Sequence, residues 1–291
     1  VRRLSKNVYT EIYFRGCNPG FIQTNDGYVM IDSPQQPINA MQWRERMEEN
    51  APIRYLVNTE WHGDHIRGNA YFPHVTVIGQ EKLAEGFEAR VFGPMMGRNV
   101  EEMKEKTQKS DPDSAYLVGH PDFPPVNGPD ITFKEEYTFH VGNHSFHCLH
   151  MPGHTHPQTC IHCPDEHVVF TGDNIFCGCK TFLEEADPWD WLASLDRIEA
   201  LDVEWIVPGH GEPCHKDYLK VQRQIIENWL GAVGRMVDRG MTEDEAVAAE
   251  LDIVAEIDPY PIGQRLFPFD QRLNEMNIRQ IYRKIMARKA S

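Results

Sequence analysis

The sequence predicts an α/β fold in which two β-sheets pack together with helices outside, followed by a helical extension. Three observations predict it. Short β-branched runs alternate with amphipathic stretches in the order strands, helix, strand, helix, then strands, helix, strand and helices, so the chain reads as two similar halves. Four of the β-rich runs end in turns that combine Gly with His, Asp or Glu. From residue 215 onward the chain reads as helix, with apolar residues at helical spacing.

Taken in order, residues 7–14 and 19–31 alternate apolar and polar side chains, with Gly20 and Gly27 as turn residues. They read as an antiparallel strand group ending in Val29-Met30-Ile31-Asp32. Ile38, Met41, Trp43 and Met47 predict a helix over 37–50. Ile53 to Val57 is short, β-branched and bounded by Pro52 and Asn58, as a buried strand should be. A strand from Val75 to Ile78 and a helix over 80–90 follow. Residues 91–130 are rich in Gly, Pro, Asp and Met, with one charged helical stretch near 100–109. They read as an insertion or lid outside the core, in which Met95-Met96 would offer a flexible apolar cover. Strands are predicted over 131–140, 144–151, 159–163 and 167–171. A helix with Trp189, Trp191, Leu192, Leu195 and Ile198 then precedes the strand Trp205-Ile206-Val207. Helices over 216–239, 242–255 and 271–289 complete the chain, the last set off by Pro259, Pro261 and Pro268. Residues 1–214 thus form the main domain, and 215–291 a helical extension packed on it. The stripe Leu219, Ile225, Ile226, Trp229 and Val233 reads first as core packing or a contact between copies of a homo-oligomer. A lid over the pocket is the sharper reading.

Composition narrows the function. Forty-one per cent hydrophobic residues in 291 support a full core. No apolar run approaches the ~20 residues of a membrane span. A net charge of −15 disfavours a nucleic-acid partner, whose phosphates must be met by Lys and Arg, and points to a small-molecule substrate. Seven sparse cysteines, odd in number, and a start (Val1-Arg2-Arg3-Leu4) without the apolar stretch of a signal peptide fit a reducing cytoplasm. Cys160-x-x-Cys163 and Cys177-x-Cys179 read as small buried thiols rather than a metal or redox motif. His140, His144, His147 and His150 lie on a predicted hairpin and read as sheet-face or surface residues.

The chemistry concentrates in Asn58-Thr59-Glu60-Trp61-His62-Gly63-Asp64-His65. Glu60, His62 and Asp64 alternate, so an extended backbone would project them to one side, while His65 faces a second position. One segment would then serve two metal ions, each needing about four ligands. The bland reading, a polar surface loop, loses ground because candidate ligands recur after three further strands. They are His154 and His156 in Met151-Pro152-Gly153-His154-Thr155-His156, Asp173 after Thr171-Gly172, and His210 in Pro208-Gly209-His210-Gly211.

With Asp32, these motifs resemble, in order, those of the metallo-β-lactamase superfamily. The resemblance spans residues 32–211 and implies a four-layer αβ/βα sandwich, the metallo-β-lactamase fold, with a dinuclear metal site at the loop edges of the sheets. It implies Glu60, His62 and His154 on a first metal, Asp64, His65 and His210 on a second, Asp173 bridging, and Asp32 orienting the metal loop. The family usually has His where this chain has Glu60. The extra carboxylate should weaken the Lewis acidity of the pair and move preference from Zn²⁺ toward Mn²⁺ or Fe²⁺, although the affinity order still favours Zn²⁺. The stretch from Gly172 to Glu184 is similar to the glyoxalase II branch, where a Lys after the bridging Asp holds a polar group of the substrate; Lys180 is the match. Trp61 and His156 are further candidates to touch substrate, and Arg67 to bind an anion, each against a plain structural role.

The expected reaction is hydrolysis of a small ester, lactone, amide or thiolester by a hydroxide held between two divalent ions, with Asp64 managing a proton. The alternatives are an iron-dependent, O₂-linked redox enzyme of the same fold, a β-lactam hydrolase, or a non-catalytic binding member. Fold alone does not decide among them.

Overall fold

In the strand Gly27–Ile31 every residue is buried, because both faces of its sheet are covered. Val29 and Ile31 point to one face, Tyr28 and Met30 to the other, as period-two alternation requires. The computed structural model of the chain describes residues 1–91, 100–121, 126–249, 257, 258, 260 and 272–290. Met95-Met96 and most of the Pro-rich segment 259–270 lie outside the described residues.

The first sheet contains β1 (Arg2–Arg3), β2 (Val8–Thr10), β3 (Gly20–Thr24), β4 (Gly27–Ile31), β5 (Ile53–Val57), β6 (Thr76–Gln80) and β7 (Ile131–Phe133), side by side in that order. Pairing is antiparallel up to β4 and parallel from β4 to β7. Helices α1 (Pro37–Glu48), α2 (Gly63–Ile66), α3 (Glu81–Val91) and α4 (Val100–Ser110) lie within these connections, as parallel pairing needs crossovers. The second sheet has the order β12-β11-β10-β9-β8, from β8 (Glu136–Val141), β9 (His144–His150), β10 (Thr159–Cys163), β11 (Val168–Cys177) and β12 (Trp205–Gly211). Only β11 and β12 pair in parallel there, joined through α5 (Pro188–Glu199). Helices α6 (Tyr218–Asp238), α7 (Glu243–Ala248) and α8 (Leu273–Ala290) follow.

Three apolar clusters separate four layers. Ile22, Val29, Ile31 and Val57 of the first sheet meet Phe146, Ile161, Phe170 and Val207 of the second. The far face of the first sheet packs Met30, Leu56 and Val77 on Ala40, Trp43 and Met47 of α1. The far face of the second packs Cys160, Val169 and Ile206 on Trp191 and Leu195 of α5, Ile226 and Trp229 of α6, and Ile278 and Ile281 of α8. Each of the larger aliphatic and Phe side chains among these contributes about 1.5–3 kcal/mol by leaving water. The stripe of α6 is therefore core, and the four-layer αβ/βα sandwich is the architecture. The described free cysteines are buried, apart from the half-buried Cys177.

The structure corrects several boundaries. The single strand expected over 131–140 is two strands in different sheets: β7 pairs with β6, β8 with β9. The chain crosses at residues 134–135, where the Lys134 carbonyl accepts from Gln80 of the first sheet and the Glu135 carbonyl from His150 of the second. The strand expected to stop at 171 runs on to Cys177 through shifts of register. The helix expected over 242–255 is described over Glu243–Ala248, capped by Thr242 and Ala249, and residues 250–255 fall outside the described residues. Within 91–130, Ala115 and Leu117 are buried, and Leu117 joins the cluster under α1, so this part of the stretch belongs to the core. Among the described residues no helix is long and apolar enough to cross a membrane.

Candidate metal centre

The loop after β5 is held from both sheets. The Asn58 amide donates to the Ile78 carbonyl, and the Thr59 carbonyl accepts from the Thr159 amide across the sandwich. Asp32, at the end of β4, adopts a left-handed φ of 54°, a conformation Asp tolerates better than most residues. It accepts from the Thr59 amide (2.8 Å) and hydroxyl (2.7 Å) and lies 2.8 Å from His65 Nδ1. This contact leaves His65 Nε2 free to face the cluster. His154 is fixed in the same way: Phe182 O can only accept, so the Nδ1 at 2.8 Å carries the proton and the unprotonated Nε2 faces the cluster, 3.1 Å from His62 Nδ1.

Seven side chains converge. Ligand atoms of Glu60, His62, His154 and Asp173 lie within 4.8 Å of one another, as do those of Asp64, His65 and His210. Asp173 connects the groups: Oδ1 is 3.2 Å from His65 Nε2, and Oδ2 is 3.5 Å from His154 Nε2 and 3.3 Å from His210 Nε2. Asp64 Oδ2 lies 3.2 Å from His210 Nε2 and 3.8 Å from His65 Nε2. Four donors at 2.0–2.2 Å from a tetrahedral ion would stand about 3.4 Å apart, which is the spacing of most of these pairs. The closer pair is Glu60 Oε2 and His62 Nδ1, at 2.7 Å.

A cation fits this donor set. Both oxygens of Glu60, His62 Nε2, His65 Nε2 and Asp173 Oδ1 are buried and lack a well-aligned hydrogen bond, their close contacts being with one another: Glu60 Oε2 to His62 Nδ1 (2.7 Å) and Asp173 Oδ1 to His65 Nε2 (3.2 Å). Each such atom costs about 1–3 kcal/mol, more where charge is involved. Five in one place make an arrangement that an ion would relieve. With only protons in the site, burial works against the charge on His62 and His210. The carboxylates outweigh it: Glu60 holds His62 at about 10, and Asp173 and Asp64 hold His210 at about 9. Burial likewise opposes ionisation of Asp173, yet His210 and His65 press it well below the carboxylate range.

Two glycines give the cluster its closeness. Gly172 has φ +51°, and a side chain there would run into Thr59 and Gln158. At Gly209 a Cβ would lie 1.8 Å from Asp173 Oδ1 and 2.7 Å from the Gly172 backbone. Gly209→Ala is therefore expected to push Asp173 out of place, with about 1–3 kcal/mol lost to overpacking. Elemental analysis should find less metal in a folded variant; full metal content would refute the steric account.

The remaining candidates sit around this centre. Trp61 Nε1 donates to Glu185 (3.0 Å), whose Oε2 is 3.8 Å from His62 Nε2. Arg67 is buried, its guanidinium against Gly63, and burial lowers it to about 10 despite Asp64. Lys180 donates to the Asp258 carbonyl. His156 is exposed, its ring stacked on His150 and its carbonyl accepting from His150. Of the hairpin histidines, His144 and His150 are buried and the other two are not, in step with the strand alternation. Sequence reasoning missed Asn18, whose side chain donates to the Pro208 and Gly211 carbonyls on either side of His210. It also missed Cys17, a buried thiol grouped with Asp32 and His65. Burial pushes that thiol upward and keeps it protonated. Glu184, near His62 and His154, was missed as well; burial raises its carboxyl. Nothing local marks these residues, because their partners are far away in the chain.

Comparison with known proteins shows the family and the fold. The metallo-beta-lactamase superfamily model matches residues 12–210, and the chain belongs to that superfamily. It is 23% identical over 259 residues to a linear primary-alkylsulfatase of Pseudomonas sp., covering 78% of this chain and 48% of the relative. It is 26% identical over 188 residues to a hydroxyacylglutathione hydrolase of Pelagibacter ubique, covering 62% and 63%. The chain spans about half the length of the first curated relatives it matches. A metallo-beta-lactamase family protein of Thermus thermophilus superposes with TM-score 0.68 at 14% identity over 99% of this chain and 95% of that one, which shows the shared fold.

Proposed function

We propose that this member of the metallo-beta-lactamase superfamily is a metal-dependent hydrolase of a small carbonyl substrate, an ester, lactone, amide or thiolester. In this reading Glu60, His62 and His154 hold one divalent ion, Asp64, His65 and His210 a second, and Asp173 serves both. Zn²⁺ is the first expectation and Mn²⁺ or Fe²⁺ the others, since Glu60 adds a hard oxygen donor. The observation that carries the reading is the convergence of two ligand groups on Asp173, with buried donor atoms left without well-aligned hydrogen bonds. A hydroxyacylglutathione hydrolase among the relatives supports a carbonyl substrate. When bound, the ions would supply an acidified water and a polarising charge on the carbonyl oxygen.

The chain's own residues do the rest. Asp32 and the Phe182 carbonyl orient His65 and His154. Asp64 is 22% exposed, against 5% or less for Asp173 and Glu60, so it is the cluster carboxylate placed to pass a proton to solvent. Trp61, tied to Glu185, would wall the substrate on the His62 side; Lys180 and His156 would reach it only by leaving their present partners.

The test is elemental analysis of protein purified without added metal, followed by a screen of esters, lactones, amides and thiolesters. About two equivalents of Zn²⁺ or Mn²⁺ with turnover of one of these classes is the expected result. A single iron with O₂ consumption would move the assignment to the redox reading, which the oxygen-rich donor set also accommodates. No metal after soaking would overturn both.

A further inference from the structure

We infer that Asn277, on the C-terminal helix α8, is a positioning residue for the metal centre: it holds the backbone on either side of Phe182, and through the Phe182 carbonyl it fixes the ring of His154. The inference rests on the reading of His154 as a ligand, although one of its tests does not need metal.

The segment 178–187 between β11 and α5 has no regular structure to satisfy its backbone. Buried polar groups without partners are costly; the Ala186 and Asp187 amides donate to the Leu183 and Gly153 carbonyls, and the groups on either side of Phe182 are met by side chains. The helical extension supplies them. Asn277 is 1% exposed and makes a paired contact: its Oδ1 accepts from the Leu183 amide (2.7 Å) and its Nδ2 donates to the Thr181 carbonyl (2.9 Å). Those two groups flank Phe182, whose carbonyl accepts from His154 Nδ1 (2.8 Å). Neighbouring contacts extend the clamp. Asp258 accepts from the Thr181 amide (2.8 Å), and Gln222 of α6 donates to the Thr181 hydroxyl (3.1 Å) while accepting from the Phe176 amide (2.9 Å).

The Leu183 amide and the Phe182 carbonyl belong to one peptide unit, so an amide side chain that holds the Leu183 N–H together with the Thr181 carbonyl fixes how that unit is turned. That unit carries the oxygen that accepts from His154 Nδ1. A carboxamide is the fitting group, since it offers both functions at once without burying a charge. The same segment carries Glu185 to Trp61 and His62, so the extension templates this side of the centre as well as filling the core.

The test compares Asn277→Ala with Ile281→Ala, a fully buried apolar truncation one turn further along the same helix. Two quantities are read: hydrogen exchange of His154 Nδ1–H in metal-free protein, by ¹⁵N-histidine NMR assigned with His154→Asn, and the affinity for Zn²⁺ against a competing chelator. Asn277→Ala should speed exchange at least tenfold and weaken Zn²⁺ about tenfold, the lower end of what loss of an outer partner of a ligand costs. Ile281→Ala should leave both within twofold while lowering Tm at least as much. Should Asn277→Ala fail to fold, Asn277→Ser, which keeps one hydrogen bond at most, is read in its place. Exchange and affinity unchanged in the Asn277 variant, or lost equally in Ile281→Ala, would overturn the inference. If wild-type protein bound no Zn²⁺, the metal reading would fall, and the exchange measurement would still decide the role of Asn277.

Discussion

An Asp173→Asn variant is expected to lose about three orders of magnitude in kcat and most of its bound metal while keeping its fold. The substitution preserves shape and removes charge. Among the described residues, Asp173 is the one carboxylate within 3.5 Å of His65, His154 and His210 together. An amide there offers one oxygen in place of two and turns an N–H toward an imidazole nitrogen. The side chain has little room to turn away, because Gly209 packs directly against it. Loss of a shared metal removes several kcal/mol of charge stabilisation, and each 1.36 kcal/mol is a factor of ten. Circular dichroism, metal content and turnover on the substrate found in the screen together check this. Turnover within tenfold of wild type at full metal content would show that Asp173 is not shared between two ions.

How the centre came to be readable explains its weak points. The strands Ile53–Val57 and Thr159–Cys163 coincide with their apolar runs, because β-branched runs bounded by turn residues carry a purely local signal. The ligands were legible for a related reason: each sits within a few residues of such a run, and His62, Asp64, His154, Asp173 and His210 adjoin a glycine. What was illegible is long-range. The link at 134–135 has no Gly or Pro, so nothing in the sequence announces that the chain changes sheets there. Asp173 lies within β11 rather than beyond it, because the register shifts opposite Pro208 and His210 are set by the partner strand. Asn18, Gln222 and Asn277 act through contacts spanning from 41 to 193 residues, which periodicity cannot register.

Glu60→His is expected to raise Zn²⁺ affinity near neutral pH and to reduce the steepness with which affinity climbs with pH. The reason lies in the proton that Zn²⁺ must displace. A His ligand binds metal only when neutral. Burial alone would keep His62 neutral, but the Glu60 carboxylate 2.7 Å away holds its proton up to about 10. At pH 7 that proton weakens metal binding by roughly three decades, a penalty that shrinks tenfold per pH unit and vanishes above about pH 10. The same raised value makes the proton stabilising in the metal-free fold: its contribution is full below the unfolded histidine pKa of about 6.5 and is lost as pH rises through the folded value. With His at position 60, burial dominates at His62, its proton leaves at a lower pH, and one fewer proton is released per Zn²⁺ bound. Against this stands the lost attraction of a carboxylate for a dication, which does not depend on pH in this range. The variant should therefore bind Zn²⁺ more tightly at pH 7, by less than the full three decades, and the two affinities should cross below about pH 10, above which the wild type binds more tightly. A less negative ligand set should also make the bound water more acidic, so the alkaline rise of the rate begins at a lower pH in the variant. Competition titrations at pH 6.5, 7.5 and 8.5, with the proton count taken from the slope, measure the first effect, and the pH–rate profile measures the second. Parallel slopes for the two proteins would mean that Glu60 does not hold a proton on His62, and its place at the first metal would have to be explained without that pairing.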